Sequence, residues 1–273
     1  NKLTSNGGGY KPLAKYSKRL SILYFCWLII DIWFVLFKRP YISDGFPEGC
    51  LEFVKDLFFG TTYPGSWFLS ALLVSVVLVY AGCHTIGKYA TVGTAVLISL
   101  YVSCIDSLPE NMRGLYEWYA ANVRQEVNLS FPSQMVWVAM GMIIGTNLDK
   151  VISCKKTIYP WMVGLAIVCY VLSLFGHSIF VKYVCVVSVC MIAFFIDLPD
   201  KPIYKRIRNY SILIFLFHFS IAGKMSLFCS IVGDSLLTNW LFYIGVVAIS
   251  VAFAEMIMRL EKVQHLGFLK YLH

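Results

Sequence analysis

Apolar residues in this chain run in unbroken blocks, without the strict alternation of a half-buried strand or the single stripe of a surface helix. Eight blocks stand out, at 20–37, 66–83, 89–105, 134–148, 158–175, 178–196, 210–232 and 236–257. Segments of about 20 apolar residues cross the hydrocarbon core as helices. A single span has to be a helix, because every backbone N–H and C=O must be paired inside lipid. The pattern therefore predicts an all-α fold, a polytopic transmembrane helical bundle with eight spans, as one membrane domain over residues 1–273. Two longer connections, 38–65 and 106–133, carry both acidic and aromatic residues. Within them, 51–59 reads as a short helix lying along the interface and 110–126 as a second. No internal repeat of the transporter kind and no low-complexity tract interrupts the pattern.

Composition agrees. With 59% hydrophobic and 14% charged residues and a mean hydropathy of +0.71, the chain has too little polar surface to cover a soluble core of 273 residues. The net charge of +8 would point to nucleic acid in a soluble protein. Here the cations flank apolar blocks and do not interleave with surface aromatics, so they set membrane orientation, and no nucleic acid partner is expected. With the N-terminal tail placed in the cytoplasm, sixteen Lys and Arg fall on the inner side and five on the outer, with Lys182 and Lys224 inside spans. That asymmetry predicts eight spans with both ends inside. The nine cysteines lie mostly within apolar blocks and form no CxxC pair, which favours buried thiols over disulfides or a metal site. No metal is expected. No Walker loop, GxSxG, HExxH or dinucleotide fingerprint occurs.

Polar residues inside apolar blocks are costly and each needs a reason. Asp31 lies about two-thirds along the first block. Lys182 lies near the outer end of its block, where a lysine can snorkel to the interface. Lys224 shares a helix face with Ser220 and either lines a polar cavity or reaches an interface. Glu255 is spaced to pair with Arg259 at i+4. His218, in Ser211 to Phe219, sits some 10–12 Å into its span at 1.5 Å per residue. It reads as a hydrogen-bonded structural histidine or as a proton carrier, and the lack of a second His at i+3 or i+4 argues against a metal. Gly141 to Gly145 forms a GxxxG that permits close helix packing. Asn128-Leu129-Ser130 is a glycosylation sequon. The cluster Lys15-Tyr16-Ser17-Lys18-Arg19 stands where the chain enters its first block. Orientation alone accounts for it, and so does a site for a phosphate-rich cytosolic ligand, which the second basic run, Lys201 to Arg208, would share.

Several segments together resemble the membrane-bound acyltransferase 3 family, the O-acyltransferases that decorate bacterial surface polysaccharides. Lys15, Lys18, Arg19 and Leu20 are similar to the family's basic entry into a span. Ser66-Trp67-Phe68-Leu69-Ser70-Ala71-Leu72-Leu73 resembles its WFL-x-ALL helix start and is the most specific match. Phe131-Pro132 through Gly141 and Gly145, Tyr210-Ser211 to His218-Phe219, and the tail Leu260 to Leu272 extend the likeness over nearly the whole chain. The resemblance implies about ten spans in the intact protein. The chain starts at Asn1, not Met, so two N-terminal spans are expected upstream, together with the family's Arg-and-His motif. The catalytic residue is therefore not assigned within 1–273, and the shortened chain is not expected to be fully active. His218 stands as the one substitute that could be considered.

The activity implied is transfer of an acyl group, usually acetyl, from cytosolic acetyl-CoA or another acyl-CoA to a sugar hydroxyl of a surface or lipid-linked glycan. Acyl-CoA would be a co-substrate, with no bound cofactor. Lys15, Lys18 and Arg19 are expected to hold the donor, and Trp67, Arg124 and His218 to line the acceptor path. The setting implied is a bacterial inner membrane. A transporter or flippase for a glycan or small metabolite, using Asp31, His218 and Lys224, is the alternative, and a non-catalytic membrane sensing or anchoring module is a third reading.

Overall fold

The computed structural model describes residues 10–38, 41–43, 45–123, 126–175, 179–197, 199, 201–232, 235–263, 265 and 267–272, with only the backbone for 10–12, 175, 179–180, 182, 223–232, 236 and 267–268. The described residues contain helices and turns and no strand. In chain order the helices are α1 (Tyr10–Ile30), α2 (Ile32–Lys38), α3 (Glu48–Phe58), α4 (Ser66–Thr85), α5 (Lys88–Ser103), α6 (Gly114–Asn122), α7 (Phe131–Thr146), α8 (Leu148–Ser153), α9 (Lys155–Phe175), α10 (Ile179–Phe195), α11 (Pro202–Val232) and α12 (Leu236–Leu260). Short 3₁₀ turns occupy Ile105–Ser107, Glu110–Met112, Val127–Leu129 and Gly267–Leu272.

Helix occupies most of each of the eight apolar blocks. Among the described residues, four segments are long and apolar enough to cross a membrane: Ser66–Thr85, Val127–Thr146, Lys155–Leu174 and Leu237–Leu260. Their exposed faces carry large apolar side chains, among them Leu78, Leu172, Leu241 and Val251, as a surface bathed in hydrocarbon requires. The chain is thus an all-helical protein with membrane-crossing helices. The other blocks are shorter, as in α5, or carry cations at one end, as in α1 and α11.

Two differences from the predicted elements matter. The first block is broken at Asp31, between α1 and α2, and α1 begins ten residues earlier than the block, at Tyr10. The 3₁₀ turn Glu110–Met112 and α6 divide the expected 110–126 helix. The expected short helix at 51–59 is present as α3, Glu48–Phe58. Leu51, Val54 and Phe58 form its exposed apolar stripe, while Gly49 and Asp56 are buried. At Gly141 a built Cβ would meet no atom within 4 Å, so among the described residues this glycine marks no close packing.

The chain divides into two compact units, with the boundary inside α7. In Met140–Lys201, α9 and α10 pair as a helical hairpin. Lys155 and Asp197 form an ion pair across its open end, and Tyr159 meets Phe195 edge-on at 6.4 Å. In the larger unit, Gly9–Ala139 with Pro202–His273, α1 packs on α4, α4 on α5, and α11 on α12. The C-terminal turn Gly267–Leu272 folds back against α1 and α12. The fully buried Trp27 donates through Nε1 to the Leu272 carbonyl at 3.2 Å and lies against Phe217 and Phe253, which stack 3.7 Å apart.

A largely buried non-helical stretch, 60–65, leads into α4. Its polar groups are satisfied internally, as backbone away from water must be. The Ser66 hydroxyl accepts from the Thr62 and Tyr63 amides at 2.9 and 3.2 Å, and Ser70 donates to the Gly60 carbonyl at 3.2 Å. Tyr24 and Thr62 share a hydroxyl–hydroxyl bond of 2.7 Å, and Tyr63 donates to the Tyr24 carbonyl at 3.2 Å. Gly65 has φ +85°, and a Cβ there would lie 3.1 Å from the Phe219 ring, so both conformation and space call for glycine.

Candidate anion-binding pocket

On α1, Lys15, Lys18, Arg19, Ile22 and Leu23 fall at i, i+3, i+4, i+7 and i+8, which puts them on one face. On α11, Lys205, Arg208, Asn209, Ile212, Phe215 and Leu216 recur at the matching spacing. Both stripes are basic at one end and apolar at the other. The fold brings them together: these eleven residues all line a single cavity of about 1270 Å³. Phe68, Leu69 and Leu72 from the start of α4 add to its apolar wall, and Arg259 at the end of α12, Lys262 just beyond it and Lys270 from the C-terminal turn add to its basic wall.

The lining includes nine Lys and Arg against two carboxylates, Glu255 and Glu261. Glu255 ties two of the cations: Arg206 Nη2 donates to its Oε2 at 3.0 Å and Arg259 Nε to its Oε1 at 2.6 Å. Arg206 also donates to the Tyr210 hydroxyl at 3.1 Å and lies over that ring at 5.5 Å. One carboxylate thus fixes guanidinium groups from α11 and α12 at the pocket wall. Lys15, Lys18 and Arg19 are solvent-exposed, so they can turn towards a ligand. Such an excess of cations in a concave site attracts and concentrates anions. Arginine guanidinium groups suit bidentate phosphate recognition.

The three residues expected to hold the donor, Lys15, Lys18 and Arg19, meet in this pocket with the second basic run. Trp67 and His218 are not among its lining residues. Trp67 is half-buried, packs edge-on to Phe68 at 6.0 Å, and its carbonyl accepts from Ser70 at 3.0 Å. His218 is half-buried, with Nδ1 3.1 Å from the Ile214 carbonyl and its ring centroid 4.0 Å from that of Phe219. Arg124 lies outside the described residues, as do the side chains of Lys182 and Lys224. Asp31, at the α1–α2 break, accepts from Ser220 at 2.9 and 3.1 Å. The expected Glu255–Arg259 pair is present, but the sequence did not mark its place in the pocket wall. Nor did it single out Lys270 or the apolar half of the pocket, although the α1 and α11 stripes could have been counted from residue spacing.

The fold and the site together define an all-helical protein with membrane-crossing helices and a basic pocket. Comparison of the chain with protein-family models, curated proteins and solved structures finds no match in any of the three.

Proposed function

We propose that this chain is an integral membrane O-acyltransferase, an eight-span bundle whose basic pocket seats the phosphate-rich head of an acyl-CoA. The acyl group, acetyl in the simplest case, would pass to a sugar hydroxyl of a surface or lipid-linked glycan. One observation carries the reading. Three basic segments far apart in sequence, at 15–19, 205–208 and 259–262, line one cavity. Orientation by the positive-inside rule needs those cations on one face of the membrane, but does not need them around one hole. The cavity also exceeds the 300–1,000 Å³ of most small-ligand sites, as a ligand of coenzyme A's size requires.

In this reading the cations neutralise the donor's phosphates and hold its thioester for attack. The acceptor hydroxyl oxygen bonds to the thioester carbonyl carbon, the carbon–sulfur bond breaks, and the hydroxyl proton ends on the coenzyme A thiol. A general base and an oxyanion-stabilising donor are required. No described residue is assigned either role.

The test is mass spectrometry of surface glycan from cells with and without the full-length protein. The reading predicts loss of an acyl increment in the deletion strain. Lys18→Ala with Arg19→Ala should raise the KM for acyl-CoA by about twofold to thirtyfold, from roughly 0.2–1 kcal/mol for each exposed cation lost. Unchanged glycan acylation in the deletion strain would remove the reading.

A further inference from the structure

The pocket's apolar half has no role in binding a nucleotide head, and it deepens the reading above by naming the kind of donor. On both α1 and α11 the lining changes from basic to apolar along the helix, after Arg19 and after Asn209. From Asn209 to Leu216 the α11 stripe advances about 10 Å at 1.5 Å per residue. Phe68, Leu69 and Leu72 add α4 to that apolar wall. Phe68 is 40% exposed although Leu69 beside it is buried, and its ring meets Phe215 of α11 edge-on at 5.0 Å, so the two aromatic rings form one continuous apolar wall.

A basic mouth opening into an apolar interior fits a ligand with a phosphorylated head and a hydrocarbon tail. We infer that the donor is an acyl-CoA of medium chain length, whose acyl chain lies among Ile212, Phe215, Leu72 and Phe68 while its phosphates meet the cations. An acetyl group leaves that wall unused. The inference rests on the acyl-CoA reading and goes beyond it, because nothing in the basic mouth specifies the acyl group. A medium chain suits the short apolar stretch better than a full-length lipid chain does.

The experiment is calorimetric titration of the full chain in a neutral detergent with coenzyme A, acetyl-CoA, octanoyl-CoA and dioctanoyl phosphatidic acid. Each buried methylene contributes a factor of about four in affinity, so two or three of the six that distinguish octanoyl from acetyl give at least tenfold tighter binding. The gain should be lost in Leu72→Trp, a half-buried position where added volume blocks the chain, with the parent's helical circular dichroism kept as proof of folding. Ile212→Phe is the second variant and should behave likewise. Equal affinity for acetyl-CoA and octanoyl-CoA overturns the inference and leaves the donor reading standing. A gain that survives both variants also overturns it, because the chain then lies elsewhere. Binding of dioctanoyl phosphatidic acid without octanoyl-CoA overturns the choice of head group. Failure of all three coenzyme A ligands overturns the donor reading and the inference with it.

Discussion

Trp27→Phe probes how the C-terminal turn is held and, through it, one wall of the pocket. Trp27 is fully buried, and its indole N–H donates to the Leu272 carbonyl at 3.2 Å. Phenylalanine keeps one ring but removes the donor. The Leu272 carbonyl then stays buried without that partner, a loss of about 1–3 kcal/mol. The smaller side chain leaves roughly 40 Å³ unfilled, about another 1 kcal/mol at 24 cal/mol per Å³. The sum is about 2–4 kcal/mol, concentrated at Gly267–Leu272. Thermal unfolding in detergent should show the variant melting about 5 °C or more below the parent. Hydrogen exchange should show faster exchange at 267–272, with little change in α5. Because Lys270 and Tyr271 line the pocket, coenzyme A binding should weaken as well. A melting temperature within about 1 °C of the parent, with unchanged exchange at the turn, would refute the packing argument.

Other perturbations have equally definite outcomes. Gly49→Ala should destabilise the protein by about 3 kcal/mol, because the new Cβ would lie under 2 Å from the Tyr41 carbonyl oxygen, a backbone atom that cannot step aside; wild-type melting would show that this approach does not exist. Ser220→Ala removes a hydroxyl donor to the Asp31 carboxylate and should cost about 1–3 kcal/mol, read by thermal unfolding, whereas Ser220→Thr should retain most of it. Coenzyme A binding should fall several-fold between about 0.05 and 0.5 M NaCl, since salt screens exposed cations; affinity independent of salt would mean that the basic wall is not the seat.

Much of this architecture is legible from residue order. Helix occupies most of every apolar block, the first being shared by α1 and α2, and a segment that crosses hydrocarbon alone has no other way to pair its backbone. The expected Glu255–Arg259 pair and the short amphipathic α3 both follow from local helical spacing. What the residues do not announce depends on partners distant in sequence. Thr61-Thr62-Tyr63-Pro64-Gly65 has the composition of a surface turn, yet Thr62 and Tyr63 are fully buried, held by Tyr24 of α1. The break at Asp31 also depends on a distant partner. Apolar residues continue on both sides of it, and Ser220, the hydroxyl that meets it, lies 189 positions away. For the pocket, the basic half is visible as charge and the apolar half is not, because leucine and phenylalanine in a membrane block read as lipid-facing until the fold shows which of them line a cavity.

Photoaffinity labelling with an azido analogue of coenzyme A, followed by peptide mapping, addresses the central claim most directly, that α1, α11 and the end of α12 form one seat for a phosphate-rich donor. Label should appear on peptides containing residues 15–23 and 205–216, and excess coenzyme A should compete it away. Label confined to other helices, or label on these peptides that coenzyme A does not displace, would contradict the account.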